Sequence, residues 1–226
     1  MKNLVIIPAR SGSKRIANKN IKNFLGKPII FYSIDIAKGL SNSKIHVSTE
    51  SEEIAKIVGS AGLTIDFNRP KNLADDRTPI LDVLKFVVGT YKKNHEDFES
   101  VVLLSACAPL LSAADVKKMV KIFNNNDKRN PVLAVYKARS PIDKRAIIEN
   151  NILNFNKEKI NLRSQDMQEY FFDAGVACIY SSDQILSNNL ESFDFIPYIL
   201  DEKKAIDIDE ELDWLFAEFL YKKIKN

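Results

Sequence analysis

Short apolar runs recur along the chain, and most are followed by a segment whose apolar residues fall at helical spacing. The runs at 4–7 (L-V-I-I), 44–49 (K-I-H-V-S-T), 63–67, 100–105 (S-V-V-L-L-S), 131–136 and 176–180 are predicted strands. The 100–105 run is nearly all apolar, as expected in the middle of a parallel sheet. Pro28 suits the first turn of a helix carried by Ile29, Ile30, Tyr32, Ile34 and Ile36. Thr49 and Glu52 have the spacing of a capping box for a helix through Ile54, Ile57 and Val58 that ends near Gly62. Residues 80–91 form the next predicted helix. Ser112 with Asp115 caps another, through Met119, Val120 and Phe123. Leu212, Leu215, Phe216, Phe219 and Leu220 mark an amphipathic C-terminal helix. This βαβαβαβ rhythm predicts an α/β fold, a doubly wound and mostly parallel sheet. Residues 137–172 interrupt it, without helical period and with a hairpin signal at Asn150-Asn151. They read as an excursion from the main sheet. Asn124–Asn126 and Asn188–Asn189 read as loop material, and there are no internal repeats.

Composition narrows the class. The 226 residues suit one sizeable domain, 1–226, and 45% hydrophobic with 28% charged residues is ordinary for a soluble globular protein. The net charge of +3, from 33 basic and 30 acidic residues, is too balanced to suggest nucleic acid or a membrane surface as a partner. No apolar run is long enough to span a bilayer, and the N-terminus has no signal-peptide pattern. Cys107 and Cys178 are far apart with no C-x-x-C, so a reduced, cytoplasmic protein is expected.

The basic excess is local. After 4–7 the chain breaks at Pro8 into a loop with Ser11, Gly12 and Ser13, and Arg10, Lys14, Arg15 and Lys19 follow within ten residues. Small side chains let backbone N–H groups approach an anion that the cations neutralise, and a phosphate chain is the expected ligand. The loop is neither a Walker A motif nor G-x-G-x-x-G. The stretch I-P-A-R-S-G-S-K-R-I-x-N-K-N-I resembles the N-terminal signature of the nonulosonic acid cytidylyltransferases, the CMP-sialic acid synthetase family.

Further segments extend that resemblance, which runs from Leu4 to Asp213. Residues 69–76, R-P-K-N-L-A-D-D, resemble the family loop around the nucleotide base and ribose; Arg69 is expected at the nucleotide and Asp76 in support. Downstream, Pro79 and Ile80 depart from the family pattern. Residues 104–111, L-S-A-C-A-P-L-L, lie where sialic acid synthetases carry Q-P-T-S-P-L-R. Ser105 and Leu111 thus replace a Gln and an Arg that face the sugar, and A-C-A-P-L-L is nearer to the pseudaminic acid members. Cys107 reads as a packed small residue. Residues 163–175, R-S-Q-D-M-Q-E-Y-F-F-D-A-G, resemble the sugar-binding segment. Arg163 would pair with the sugar carboxylate, Gln165 would hydrogen-bond it, and Asp173 opens the D-A-G of the pseudaminic acid members, though Phe171-Phe172 replaces their Tyr-His. The alternative is a surface ion pair of Arg163 with Asp166. Lys144 or Arg145 is a loosely aligned further basic contact.

Near the C-terminus, Asp207 and Asp209 flank Ile208 and point the same way if extended. Two such oxygens suit Mg²⁺, a hard ion that keeps waters and bridges phosphates, and in the family this I-D-I-D pair carries the catalytic metal. Alternatively one of them caps the C-terminal helix, which is compatible with the first reading. The resemblance implies that CTP and a nonulosonic acid are substrates, with Arg10, Ser13, Lys14 and Asn20 on the nucleotide and Arg10, Lys14 and Asp209 as catalytic groups. Ser105, Arg163, Gln165 and Asp173 would face the sugar. A homodimer through 137–172 is implied in the same way. Pseudaminic acid is the favoured acceptor, with legionaminic and N-acetylneuraminic acids open. A D-x-D glycosyltransferase and a non-catalytic nucleotide-binding module are the readings from other classes.

Overall fold

The apolar runs pair much as their composition requires, but not all in one direction. The computed structural model describes residues 2–155, 157–159, 161–187 and 194–225. In chain order the elements are β1 (Asn3–Pro8), β2 (Asn23–Phe24), β3 (Lys27–Pro28), α1 (Ile30–Lys38), β4 (Ser43–Ser48), α2 (Glu52–Ser60), α3 (Ile80–Lys93), β5 (Ser100–Leu104), α4 (Ala113–Asn125), β6 (Val132–Lys137), β7 (Ala146–Glu149), β8 (Ile152–Phe155), β9 (Phe171–Ser181), α5 (Ser182–Leu186), β10 (Ile196–Ile199) and α6 (Glu211–Lys225). Six strands form the main sheet in the order β10-β6-β9-β5-β1-β4. β1 runs parallel to β4 and β5, with Val5 opposite Ile45 and Val102, and β10 runs parallel to β6. β9 is antiparallel to both its neighbours, β5 and β6.

Alternation along β1 builds both layers. Val5 and Ile7 face a core with Ile30, Ile34, Ile54, Val116 and Phe123 from α1, α2 and α4. Leu4 and Ile6 face the opposite side, against Leu84, Val87 and Tyr91 of α3 and Ile185 of α5. Because both faces are covered, 4–7 is apolar throughout and fully buried. A third cluster decides where chemistry can occur. Ile16, inside the basic loop, and Ile208, between the two aspartates, are both buried with Phe24, Tyr32 and Trp214. Burial of these two side chains draws the N-terminal loop and the I-D-I-D segment together from opposite ends of the chain.

Several expectations are corrected. Residues 63–67 are not a strand. Leu63 and Ile65 lean on the core, while the Asp66 carboxylate is taken by Lys44 at 2.7 Å and by the Tyr91 hydroxyl at 2.9 Å. Side-chain bonds thus hold this segment, and β4 is left as the sheet edge. Ser51, not Thr49, caps α2, its hydroxyl accepting from Ile54 N–H at 3.3 Å, while Thr49 accepts from Ser51 N–H. Pro28 closes the small β2–β3 hairpin rather than opening α1. Asn124 and Asn125 finish α4, and Asn188–Asn189 lies outside the described residues. The last strand is longer than 176–180 and reversed, because the 137–172 excursion leaves and re-enters the sheet at the same end, with Lys137 paired to Phe171 and Ala138 N–H bonded to the Tyr170 carbonyl. Within that excursion β7 and β8 form a hairpin turning on Asn150 (φ 51°) and Asn151 (φ 63°). Positive φ at both central residues is what a two-residue type I′ turn demands.

Candidate active site

The loop that follows β1 is pinned at both ends before it meets a ligand. Ala9 N–H donates to the Ser48 carbonyl at 2.9 Å, extending the β1–β4 ladder by one bond. Asn18, at φ 50°, turns the chain back, and the Asn20 amide then donates to the Arg10 carbonyl at 2.8 Å. The Cys107 thiol, at the carboxyl end of β5, donates to the other side of the Asn20 amide at 3.3 Å. Burial pushes that thiol up to about 12, so Cys107 is an inert packing and anchoring group.

Between these anchors lies a cleft of about 580 Å³. Arg10, Ser13, Lys14, Asn20, Arg69 and Asp76, the six residues expected at the nucleotide, all line it, together with Asp209, Arg15 and Lys19. Asp76 pairs with both Arg10 and Lys14, and these cations, Lys14 first, hold its carboxyl below the usual range. Asp209 takes Arg15 at 2.8 Å and Lys19 at 3.2 Å. Lys19 also donates to the Ile208 carbonyl at 2.5 Å, which ties the basic loop directly to the aspartate segment. Arg69 is 5% exposed and donates to the Ser48 hydroxyl and carbonyl. Its place is therefore set by the end of β4.

A second cavity, of about 370 Å³, opens beside the cleft and shares Pro8, Lys19, Asn20 and Ile80 with it. Ser105 and Asp173 line it. The Asp173 carboxylate accepts from Gly175 N–H at 2.8 Å. Gly175 sits at φ +65°, and a Cβ there would lie 3.1 Å from an Asp207 carboxylate oxygen. The D-A-G turn thus leaves room for the Asp207 carboxylate behind the wall of the second cavity; Asp207 itself lines neither space. Although Asp207 is exposed as a residue, its carboxyl is turned inward. Burial first, and the charge of Asp209 second, raise its pKa. A carboxylate pair that is costly to keep ionised is a fitting place for a divalent cation. Among the described residues no cluster of three or more metal-ligating side chains exists, so this pair offers two carboxylates.

Some expected residues stand apart. Arg163 and Gln165 are exposed on the excursion and line neither cavity. Leu111 is 5% exposed in the core shared with α4, away from both spaces. Ile80, by contrast, lines both. Sequence reasoning also missed Lys19 and Arg15 as partners of Asp209. Their signal was the basic run itself, which names the cations but not the acid they meet. Glu50 was missed too. It follows β4 and accepts from Ser11 N–H at 2.8 Å and Ser11 O–H at 2.7 Å. An acidic residue at a strand's carboxyl end was its only mark.

Comparison with known proteins bears on this arrangement. The family profile described as Cytidylyltransferase matches residues 4–225. A pseudaminic acid cytidylyltransferase of Campylobacter jejuni is 35% identical, covering 98% of this chain and 97% of its own. A CMP-N,N'-diacetyllegionaminic acid synthase of Campylobacter jejuni is also 35% identical, over 99% of this chain and 96% of its own. In fold, the chain resembles a CMP:2-keto-3-deoxy-manno-octonic acid synthetase solved with CTP, with a TM-score of 0.72 at 14% identity over 99% of this chain and all of that one.

Proposed function

The chain belongs to the cytidylyltransferase family and is a nucleotidyltransferase, and from that premise we propose that it transfers CMP from CTP to the anomeric hydroxyl of a nine-carbon α-keto sugar acid, releasing pyrophosphate. Pseudaminic acid is the favoured acceptor, supported by the relative that carries this activity in its name and by the D-A-G turn at Gly175. The observation that carries the reading is the seam between the two spaces. Lys19 lines both the long polar cleft and the second, smaller cavity and with Arg15 holds Asp209, while Asp207 lies against Gly175 in the wall of that second cavity.

The proposed division of labour follows from those positions. CTP occupies the larger cleft, with its triphosphate along Arg10, Ser13 and Lys14 and its nucleoside toward Arg69 and Asn20. Arg10 and Lys14 leave Asp76 for the phosphates and stabilise the charge that grows on departing pyrophosphate. Asp76 is freed to bond the nucleotide. Lys19 holds the Asp209 segment against the loop. The acceptor lies in the second cavity, against Ser105 and Asp173. Asp207 and Asp209 are the residues that would hold Mg²⁺, which when bound supplies charge neutralisation and acidifies a coordinated hydroxyl. Arg163 and Gln165 reach the sugar only across the contact of a homodimer. The exposed Ile147, Ile148, Ile152 and Leu153 of the β7–β8 hairpin support such a contact through 137–172. Both cysteines are free and buried, which supports a reducing compartment such as the cytoplasm; no described helix is long and apolar enough to cross a membrane.

The test is Mg²⁺-dependent pyrophosphate release from CTP against pseudaminic, legionaminic, N-acetylneuraminic and 3-deoxy-manno-octulosonic acids. Release with pseudaminic acid is the expected result. Preference for legionaminic acid would move the acceptor to the second relative's class, and silence with all four from protein that binds CTP would refute the reaction.

A further inference from the structure

The second cavity has an unexpected floor. In a doubly wound sheet both faces are normally covered by helices, and the central strands are apolar for that reason. Leu103 on β5 and Leu133 on β6 are nevertheless only half-buried. Register sets them side by side: Cys178 of β9 pairs with Leu103 on one flank and with Leu133 on the other. Directly paired residues share a face, so Leu103, Cys178 and Leu133 form one row across three strands. Elsewhere on that face α3 and α5 bury Leu4, Ile6 and Val101. Over the row, among the described residues, the cavity takes the place of a helix. The Tyr180 ring, two positions after Cys178, continues the same face along β9 with its hydroxyl bonded to the Cys178 thiol, and Val176 also lines the cavity although it packs into the core of the other face. Burial pushes the Cys178 thiol up to about 12, so it stays neutral and contributes to the row as an apolar group. Polar groups occupy the end toward the phosphate loop, where Lys19, Asn20 and Ser105 lie.

We infer that the Leu103–Cys178–Leu133 row is the specificity surface for the acceptor, and that it selects a sugar acid carrying methyl-bearing acyl or deoxy carbons over one carrying hydroxyls at the same positions. This rests on the acceptor reading given above. The polar end faces the reacting carboxyl and anomeric hydroxyl, so the distal flank of the sugar lies over the row. A methyl group there removes apolar surface from water on both sides. A hydroxyl there loses its hydrogen bonds to water and finds no partner in the two leucines, while the Cys178 thiol is already engaged with the Tyr180 hydroxyl. Apolar pockets of this kind discriminate by about tenfold to a few hundredfold, not more.

The experiment measures kcat/KM by pyrophosphate release for two acids: pseudaminic acid, which is doubly N-acylated and ends in a methyl group, and N-acetylneuraminic acid, which ends in a glycerol chain. Wild-type enzyme is expected to prefer the first by about ten- to a hundredfold. Leu133→Thr and Leu103→Thr place a hydroxyl on the row with a residue that suits strands. Each is expected to shrink the preference about tenfold, through KM for the acid, with KM for CTP unchanged as the sign of an intact nucleotide site. Equal efficiency of the wild type on both acids overturns the inference while leaving the acceptor reading standing. So does an unaltered preference in both variants. Wild-type enzyme that releases no pyrophosphate with any nine-carbon acid overturns the acceptor reading instead. Should both variants lose CTP binding, the wild-type comparison decides alone.

Discussion

Single residues at the seam carry roles that their neighbours make testable. Asp209 faces the cleft and is held by Arg15 and Lys19, whereas Asp207 is turned inward against Gly175. Asp209→Ala is expected to lower kcat by at least about a hundredfold, since even groups that merely support a metal ligand are worth ten- to a hundredfold. CTP should still bind in calorimetry, because Arg10 and Lys14, the cations proposed for the triphosphate, pair with Asp76 and not with Asp209. Unchanged turnover would remove Asp209 from the reaction. Gly175→Ala tests the close approach. A side chain at φ +65° costs about 1–2 kcal/mol, and its Cβ would press on the Asp207 carboxylate at 3.1 Å. A Tm lower by a few degrees together with a fall in kcat is expected; a stability loss with kcat intact would separate the turn from the chemistry. That Arg10, Ser13, Lys14, Asn20, Arg69 and Asp76 share one cleft was legible in the sequence because a contiguous loop and the R-P-x-x-L-A motif carry them. Lys19, Arg15 and Glu50 were not, because their partners lie in other segments and only folding reveals the pairings.

Elements hold these residues through caps and ladders more than through propensity. The capping box of α4 illustrates the point. Ser112 accepts from Asp115 N–H at 3.2 Å and the Asp115 carboxylate accepts from Ser112 N–H at 3.2 Å, as the spacing predicts. The sequence could not show that the same carboxylate also takes Lys204 at 2.8 Å and the Tyr198 hydroxyl at 3.0 Å. Burial works to raise the Asp115 pKa, but Lys204, Ser112 and Tyr198 together bring it below the usual range. Asp115 therefore joins α4 to β10 and to the turn that leads into 205–209. Asp115→Ala is expected to cost about 1–3 kcal/mol, the price of a buried hydrogen-bonded group left without its acceptor. Denaturant melts would detect it, and a change below about 0.5 kcal/mol would mean the network is idle. Strands with long apolar runs were readable, and so were helices with strong periodicity. The direction of β9 was not, since alternation is the same for either pairing sense. Residues 63–67 failed because extended backbone and apolar side chains do not by themselves supply ladder partners.

The whole molecule responds to pH through a group remote from the reaction. His46, on the edge strand β4, is 1% exposed and lies against Phe67 at 4.5 Å between centroids. The Tyr91 hydroxyl donates to Asp66 at 2.9 Å, so the 3.0 Å contact between His46 Nδ1 and the Tyr91 oxygen requires the hydrogen on Nδ1. Nε2 is then a bare acceptor, buried without a partner. Protonating it would bury a charge. Burial accordingly lowers the His46 pKa from 6.5 to about 4, with Asp66 opposing and Lys44 and Arg69 assisting. The folded value is the lower one, so between pH 6.5 and about 4 the unfolded chain binds a proton that the folded chain refuses. Stability is full above 6.5 and declines as pH falls through that window, by up to about 3 kcal/mol. Asp66, Asp115 and Glu96, whose pKa values are lowered, add their own losses only below the ordinary carboxylate range. Chemical denaturation at pH 7.5, 6.5, 5.5 and 5.0 therefore isolates the histidine. Wild-type stability is expected to fall across the series, while His46→Phe, which keeps the ring contact with Phe67 and removes the proton site, is expected to hold nearly level. Parallel curves for the two proteins would mean that the edge of the sheet admits water or a proton to His46, and that acid sensitivity arises elsewhere in the fold.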